Sequence, residues 1–290
     1  MTTSLDSDLF LPDPNPADIR YTVISVDDHV VEPPHLFQEY MQPNLRDLGP
    51  QLIETENGHQ VWEFEGATYS QVGMNAVAGR KPETVSLEPF RFDQMRPGCY
   101  DIDARIKDMD LGGIWAMLNF PSQITGFCGT VFAKASNREV GIDAVRAWND
   151  WLFTEWYSKY PERVIPGGIT YLGDSDEAVR EIRRNAERGF VSVTLPEMPT
   201  MLGSLTCGRG ISGIPLWRPV PKQKQLFHSM SGVQVWLLLL QGRRLYRLGQ
   251  HCSDSYRLER ARIGYGVNIL SGFQILKLRC LKVVSVGSRC

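Results

Sequence analysis

The sequence predicts an α/β fold in which parallel strands, covered by helices, are arranged as a barrel. Three observations predict it. Four short apolar runs bounded by turn residues alternate with helical patterns. The runs are apolar on both faces, as strands buried beneath helices require. The turn after the first run, DDHVVEPP, lacks the glycine-rich fingerprint of a doubly wound dinucleotide fold. Polar residues instead gather at the C-terminal ends of the runs, where barrels keep their chemistry.

The elements follow in order. Residues 1–20, with Pro12, Pro14 and Pro16 among aspartates, read as an irregular arm. Tyr21 to Val26 is the first strand, and it runs into Asp27, Asp28 and His29. Residues 50–100 interrupt the alternation with HQVWEFEGATYS, a hairpin, and the arginine-rich GRKPETVSLEPFRFDQMRPG. This stretch reads as an insertion over the barrel mouth, where Arg91 and Arg96 could pair with an acidic substrate. The competing reading is that both are solvated loop cations.

Ile114 to Phe120 is the second strand, with Asn119 and Phe120 at its end and Pro121 following. In SNREVGIDAVRAWNDWLFTEWYSKYP, apolar residues recur at three and four positions from Val140 to Trp156, which makes an amphipathic helix ending before Pro161. Val164 to Leu172 is the third strand, with Thr170 and Tyr171 near its end. In GDSDEAVREIRRNAERGF, Asp174 caps the helix start, Glu177 completes a capping-box-like pair, and Gly189 closes the helix. Phe190 to Leu195 is the fourth strand, and Glu197 follows it. Asn119, Phe120 and Glu197 are therefore candidate pocket residues, although Phe120 could equally be core and Glu197 a helix cap.

Composition bounds the function. With 290 residues, 42% of them apolar, the chain can bury a substantial core. No leader pattern or membrane-length apolar run is evident, so a cytoplasmic protein without a membrane partner is expected. The six cysteines show no metal-binding or disulfide spacing and are expected to be free thiols. The net charge of −2 conceals a division: residues 1–203 carry 17 basic against 31 acidic residues, and residues 204–290 carry 14 against 2. A basic tail of this kind raises a non-enzymatic alternative, a region binding nucleic acid or another anionic partner. No nucleic-acid motif and no aromatic residues interleaved with basic ones support that alternative.

Asp27 and His29, two apart on a strand, share a face and could reach one metal ion, with Asp28 turned away. The competing reading is that they satisfy backbone groups at the turn before Pro33. The segments SVDDHVVEPP, YDIDARIKDMDLGGIWAMLNFPS, the Trp-rich helix, RVIPGGITYL and GFVSVTLPEMP, in that order, resemble the amidohydrolase-related proteins. This is the branch of the metal-dependent amidohydrolase superfamily that includes aminocarboxymuconate-semialdehyde decarboxylase-like proteins. The resemblance covers residues 21–203. It implies a TIM (β/α)8 barrel of the metal-dependent hydrolase type, with Asp27 and His29 as ligands of a divalent ion, zinc in the first instance. It also implies hydrolysis or non-oxidative decarboxylation of a small-molecule substrate, and a homodimer for the intact parent.

The family's remaining ligands belong to later strands, and their motifs are absent after residue 203. His228 and His251 follow no recognisable barrel strand and are not read as ligands. The codons of residues 222–232, regrouped one frame over, permit A-E-A-A-V-S-L-H-V-G, which contains the family's LHVG stretch. In the same frame Ser212 to Pro215 permits W-D-P, and RCLKVVSVGSR permits L-S-E-G-G-I-G-W-V-P. The expectation is a frameshift near Gly203 or Ser204. Residues 204–290 would then be an out-of-frame, non-native tail, and the chain an inactive first half of a barrel.

Overall fold

A computed structural model describes residues 8–15, 21–73, 76–85 and 91–195, together with the backbone of six strands between residues 226 and 286. The fold is mixed α/β with parallel pairing at its centre. Strand β1 (Val23–His29) pairs in parallel with β5 (Ile114–Phe120), and β5 with β6 (Val164–Ile165). After Pro166 the chain continues as β7 (Gly167–Gly168), which pairs in parallel with β8 (Ser192–Leu195).

Two strands differ from the sequence expectation for clear reasons. β1 continues through Asp27, Asp28 and His29, because its partner β5 extends alongside as far as Phe120. It needs three steps from Ser25 to Asp28 where β5 needs two from Met117 to Asn119, so β1 carries a bulge at Val26–Asp27. The expected third strand, residues 164–172, is divided into β6 and β7 at Pro166, which has no N–H to offer a ladder. Beyond the break, Asn149 takes over the pairing. Its amide receives the Ile169 N–H and donates to the Ile169 carbonyl, both at 2.9 Å, and also donates to Glu181 at 2.8 Å.

Helices cover the outer face of the sheet. Helix α2 (Ile102–Gly112) is capped by Asp101, which accepts from Ala104 N–H, and it ends at Gly113 in the left-handed region. After the single turn α3 (Gly126–Gly129), helix α4 (Arg138–Trp151) starts at Asn137, whose side chain accepts from the Glu139 and Val140 amides, and passes into a π turn at Leu152–Tyr157. Helix α5 (Ser175–Glu187) starts at Asp174 as expected, but the Glu177 carboxylate pairs with Arg138 and Arg180 rather than completing a capping box. The core between sheet and helices contains Met117, Trp148, Trp151, Trp156 and Ile169, all fully buried. The Trp151 and Trp156 rings meet edge to face at 5.6 Å.

The expected hairpin in the insertion is a three-stranded meander of β2 (Gln51–Glu54), β3 (Gln60–Phe64) and β4 (Ala67–Tyr69). Glu65 and Gly66, both with positive φ, form the two-residue turn between β3 and β4 that matches strand twist. The short helix α1 (Leu36–Tyr40) precedes this meander. The N-terminal segment docks on the same insertion. Phe10 is buried and bridges to Arg80, while Leu11 N–H donates to the Gly79 carbonyl at 2.8 Å.

Beyond residue 203, where the sequence predicts no native fold, the described backbone holds strands β9 (Leu226–Ser229), β10 (Leu237–Gln241), β11 (Arg244–Leu248), β12 (Val267–Leu270), β13 (Phe273–Leu278) and β14 (Leu281–Val286). The last five are leucine- and valine-rich runs that pair as local antiparallel hairpins. β9 also pairs in parallel with β8, with His228 opposite Thr194. This corrects the expectation that His228 has no strand beneath it: four consecutive residues there match the edge that β8 offers. No helix among the described residues is long and apolar enough to cross a membrane.

Candidate functional site

The end of β1 brings Asp27, Asp28 and His29 to the C-terminal edge of the parallel sheet. Asp28 is held by its own strand, its Oδ1 accepting from Ser25 Oγ at 2.8 Å. Asp27 has no hydrogen-bond partner among the described residues. It keeps solvent access at the bulge, yet the surrounding protein still raises its carboxyl above the ordinary range, with Asp28 adding and His29 opposing.

His29 is the better fixed of the pair. Its Nδ1 lies 3.2 Å from the Pro121 carbonyl oxygen. A carbonyl can only accept, so the shared proton resides on Nδ1. Burial lowers the ring's pKa, and Arg105 lowers it further, against opposing contributions from Pro121, Asp27 and Asp28. A neutral ring protonated on Nδ1 presents a lone pair at Nε2. The ring packs between Phe120 and Phe127, each 5.9 Å away between centroids. Arg105, from α2, donates to the His29 backbone carbonyl and lies over the Trp156 ring at 5.9 Å. Helix α2 thus anchors the strand end from outside the sheet.

Next to this pair, Asn119 is 1% exposed, and neither its amide oxygen nor its amide nitrogen has a hydrogen-bond partner. Leaving both buried costs about 1–3 kcal/mol per group unless a ligand or water meets them. Asn119 is opposite Asp28 and Phe120 is opposite His29 across the β1–β5 ladder. The structure therefore brings Asp27, His29, Asn119 and Phe120 to one sheet edge. Arg91 has other partners: Glu54, Asp93 and the Gly58 carbonyl, all on or beside the β2–β3 hairpin. Arg96 pairs with Asp13 and Asp108, clamping the N-terminal segment to α2. Glu197 and His251 lie outside the described residues.

Sequence reasoning missed Glu32. It is completely buried, and its carboxyl accepts from Ser122 N–H at 3.0 Å, from Trp148 Nε1–H at 3.0 Å and from the Ser122 hydroxyl. Burial pushes this carboxyl up, against the pull of these donors and of its own backbone N–H. The only sequence signal was an acid among valines and prolines in VVEPP, where a solvent-exposed loop acid would look the same.

Among the described residues, three side chains whose donor atoms converge closely enough to hold a metal form a different cluster: His35, Glu39 and Glu155. His35 Nε2 is 2.8 Å from Glu155 Oε1, which also accepts from the Tyr40 hydroxyl at 3.0 Å. Burial and Glu155 push the Tyr40 phenol up to about 12. The chemistry already visible there is a hydrogen-bonded link from α1 to the π turn after α4. Cys99 and Cys128 are free thiols, and burial raises both.

Comparison with known proteins gives the following. No family model matches the chain, and no curated protein matches it. Among the solved structures that match is an amidohydrolase from Mycobacterium avium subsp. paratuberculosis K-10, at 21% identity and a TM-score of 0.49. The match covers 62% of this chain and 50% of that one, so the chain spans about half the length of that structure.

Proposed function

We propose that residues 21–203 form the first half of a (β/α)8 barrel of the amidohydrolase-related type. In this reading Asp27 and His29 hold a divalent ion, zinc in the first instance, and the substrate is a small organic molecule that is hydrolysed or decarboxylated without oxidation. The observation that carries the reading is the His29 ring, whose Nδ1 is committed to the Pro121 carbonyl so that Nε2 is left as a donor. Metal-binding histidines are held in this way, by a carbonyl or carboxylate on the nitrogen that does not bind. The strand order supports the architecture. Each parallel strand adds beside its predecessor, β1 to β5 to β6 and then β7 to β8, without the reversal that marks a doubly wound sheet.

The residues fit an ion in donor type: one carboxylate and one neutral imidazole from a single strand end. When bound, the ion would supply Lewis acidity toward a substrate carbonyl. The chain's own groups do the rest. Asn119, opposite Asp28 rather than His29, belongs to the proposal only as a substrate-binding candidate at the same strand end, while Phe120 with Phe127 flanks the imidazole and limits water on that side. Arg91 and Glu197 belong to the proposal only as rim residues that would meet the substrate from the insertion and from beyond β8.

Two donors leave an ion incompletely bound, so the chain is proposed to be inactive as it stands. A frameshift near Gly203 or Ser204 accounts for the missing ligands and for the turn from an acidic to a basic composition at that point. The intact parent would be a cytoplasmic homodimer without nucleic-acid or membrane partners. Resequencing the gene tests this reading. An open shifted frame continuing through a further aspartate motif is expected, and a stop codon soon after Ser204 in that frame would overturn it.

A further inference from the structure

We infer that Glu32 is a positioning residue that fixes the His29 imidazole through the Pro121–Ser122 peptide. The inference rests on the reading of His29 as a metal ligand only for its consequence, not for its geometry. The Pro121 carbonyl that receives His29 Nδ1–H and the Ser122 N–H that donates to Glu32 Oε1 belong to one peptide unit. That peptide is trans, so its N–H and C=O point in opposite directions within one plane. Glu32 holds one edge of the plane and His29 is aimed by the other. Hydrogen bonds in such a chain polarise one another, because drawing the amide proton toward an acceptor enriches the carbonyl oxygen at the opposite end.

Glu32 is itself held from three directions. Trp148 on α4 donates to the same Oε1, and the Ser122 hydroxyl donates to Oε2. A carboxyl with no exposed surface is costly to bury, and its hydrogen-bonding partners come from Ser122 and Trp148 rather than from an arginine or lysine. A wholly structural task at this place would be served by an apolar side chain at lower cost. The acceptor oxygens are needed where a peptide must be set in one orientation. Oε1 receives both N–H groups whether the carboxyl is ionised or carries its proton on Oε2, so the relay works in either state.

The test reads His29 directly, in two-bond proton–nitrogen correlation spectra of the ¹⁵N-labelled full chain at pH 8. The wild type is expected to show His29 protonated on Nδ1. Glu32→Gln keeps the size and one acceptor oxygen but weakens it, so the Ser122 amide proton should move upfield and the His29 Nδ1 resonance should move with it. His35 and His59 serve as unaffected references. Glu32→Met removes the acceptors, so the Nε2-protonated form should appear and, in the frame-restored protein, zinc affinity should fall about 10–100-fold. A Ser122 shift in Glu32→Gln that leaves His29 unmoved would overturn the relay, as would a wild-type ring protonated on Nε2. The Gln variant decides the matter even if Glu32→Met does not fold. If the frame-restored protein binds no zinc, the metal reading fails while the nitrogen shifts of the full chain still judge the relay.

Discussion

His29 Nδ1 meets the carbonyl of Pro121 at 3.2 Å, across 92 residues of sequence. This contact joins the end of β1 to the turn after β5 and decides which ring nitrogen faces outward.

The pair at the end of β1 is expected to act together. Asp27→Asn and His29→Ala should each abolish divalent binding measured by calorimetry in the frame-restored protein, while Ser25→Ala, which frees only Asp28, should not. Retained binding in His29→Ala would remove the ring from the ligand set.

Glu32 gives a pH dependence with a definite sign. Burial raises its folded-state pKa above the 4.5 of an unfolded chain. Between those two values the folded state keeps a proton that the unfolded state has lost. The stabilising contribution is therefore fully present below about pH 4.5 and declines as pH rises through the folded pKa. Urea midpoints of the wild type relative to Glu32→Gln should fall with rising pH; a difference that grows with pH would contradict the assignment.

Asn149 replaces a missing stretch of ladder. Asn149→Ala would leave the Ile169 N–H and carbonyl buried without their partner and deprive Glu181 of a donor. A loss of about 2–4 kcal/mol is expected from two or more orphaned groups. Asn149→Asp should cost at least as much as Ala, because its second oxygen would face the Ile169 carbonyl and the Glu181 carboxylate, both acceptors.

Asp174 has a more limited role. Its side chain accepts from the Asp176 and Glu177 amides at the start of α5. Asp174→Ala should lower stability by about 1 kcal/mol in chemical denaturation, and Asp174→Ser should restore most of it.

Much of the fold was legible because it is local. Asp174 and Gly189 bound α5 as read, the Trp-rich periodicity gives α4, and β5 runs from Ile114 to Phe120 as its composition indicates. Pro166 breaks the third strand, a consequence its missing N–H makes readable after the fact. The bulge at Val26–Asp27 was not legible, since register depends on the partner strand. Asp27 and His29 were visible as a spacing, but the fixed tautomer was not, because Pro121 and Glu32 come to the ring from distant parts of the chain. Arg91 looked free in the sequence and is engaged by Glu54 and Asp93, whose proximity depends on how the hairpin packs.

The most direct measurement follows both ring nitrogens of His29 by ¹⁵N spectroscopy while zinc is added. The account predicts that Nε2 shifts toward metal-bound values while Nδ1 stays protonated. A change at Nδ1 with Nε2 unaffected, or no response at either nitrogen at saturating zinc in the frame-restored protein, would contradict it.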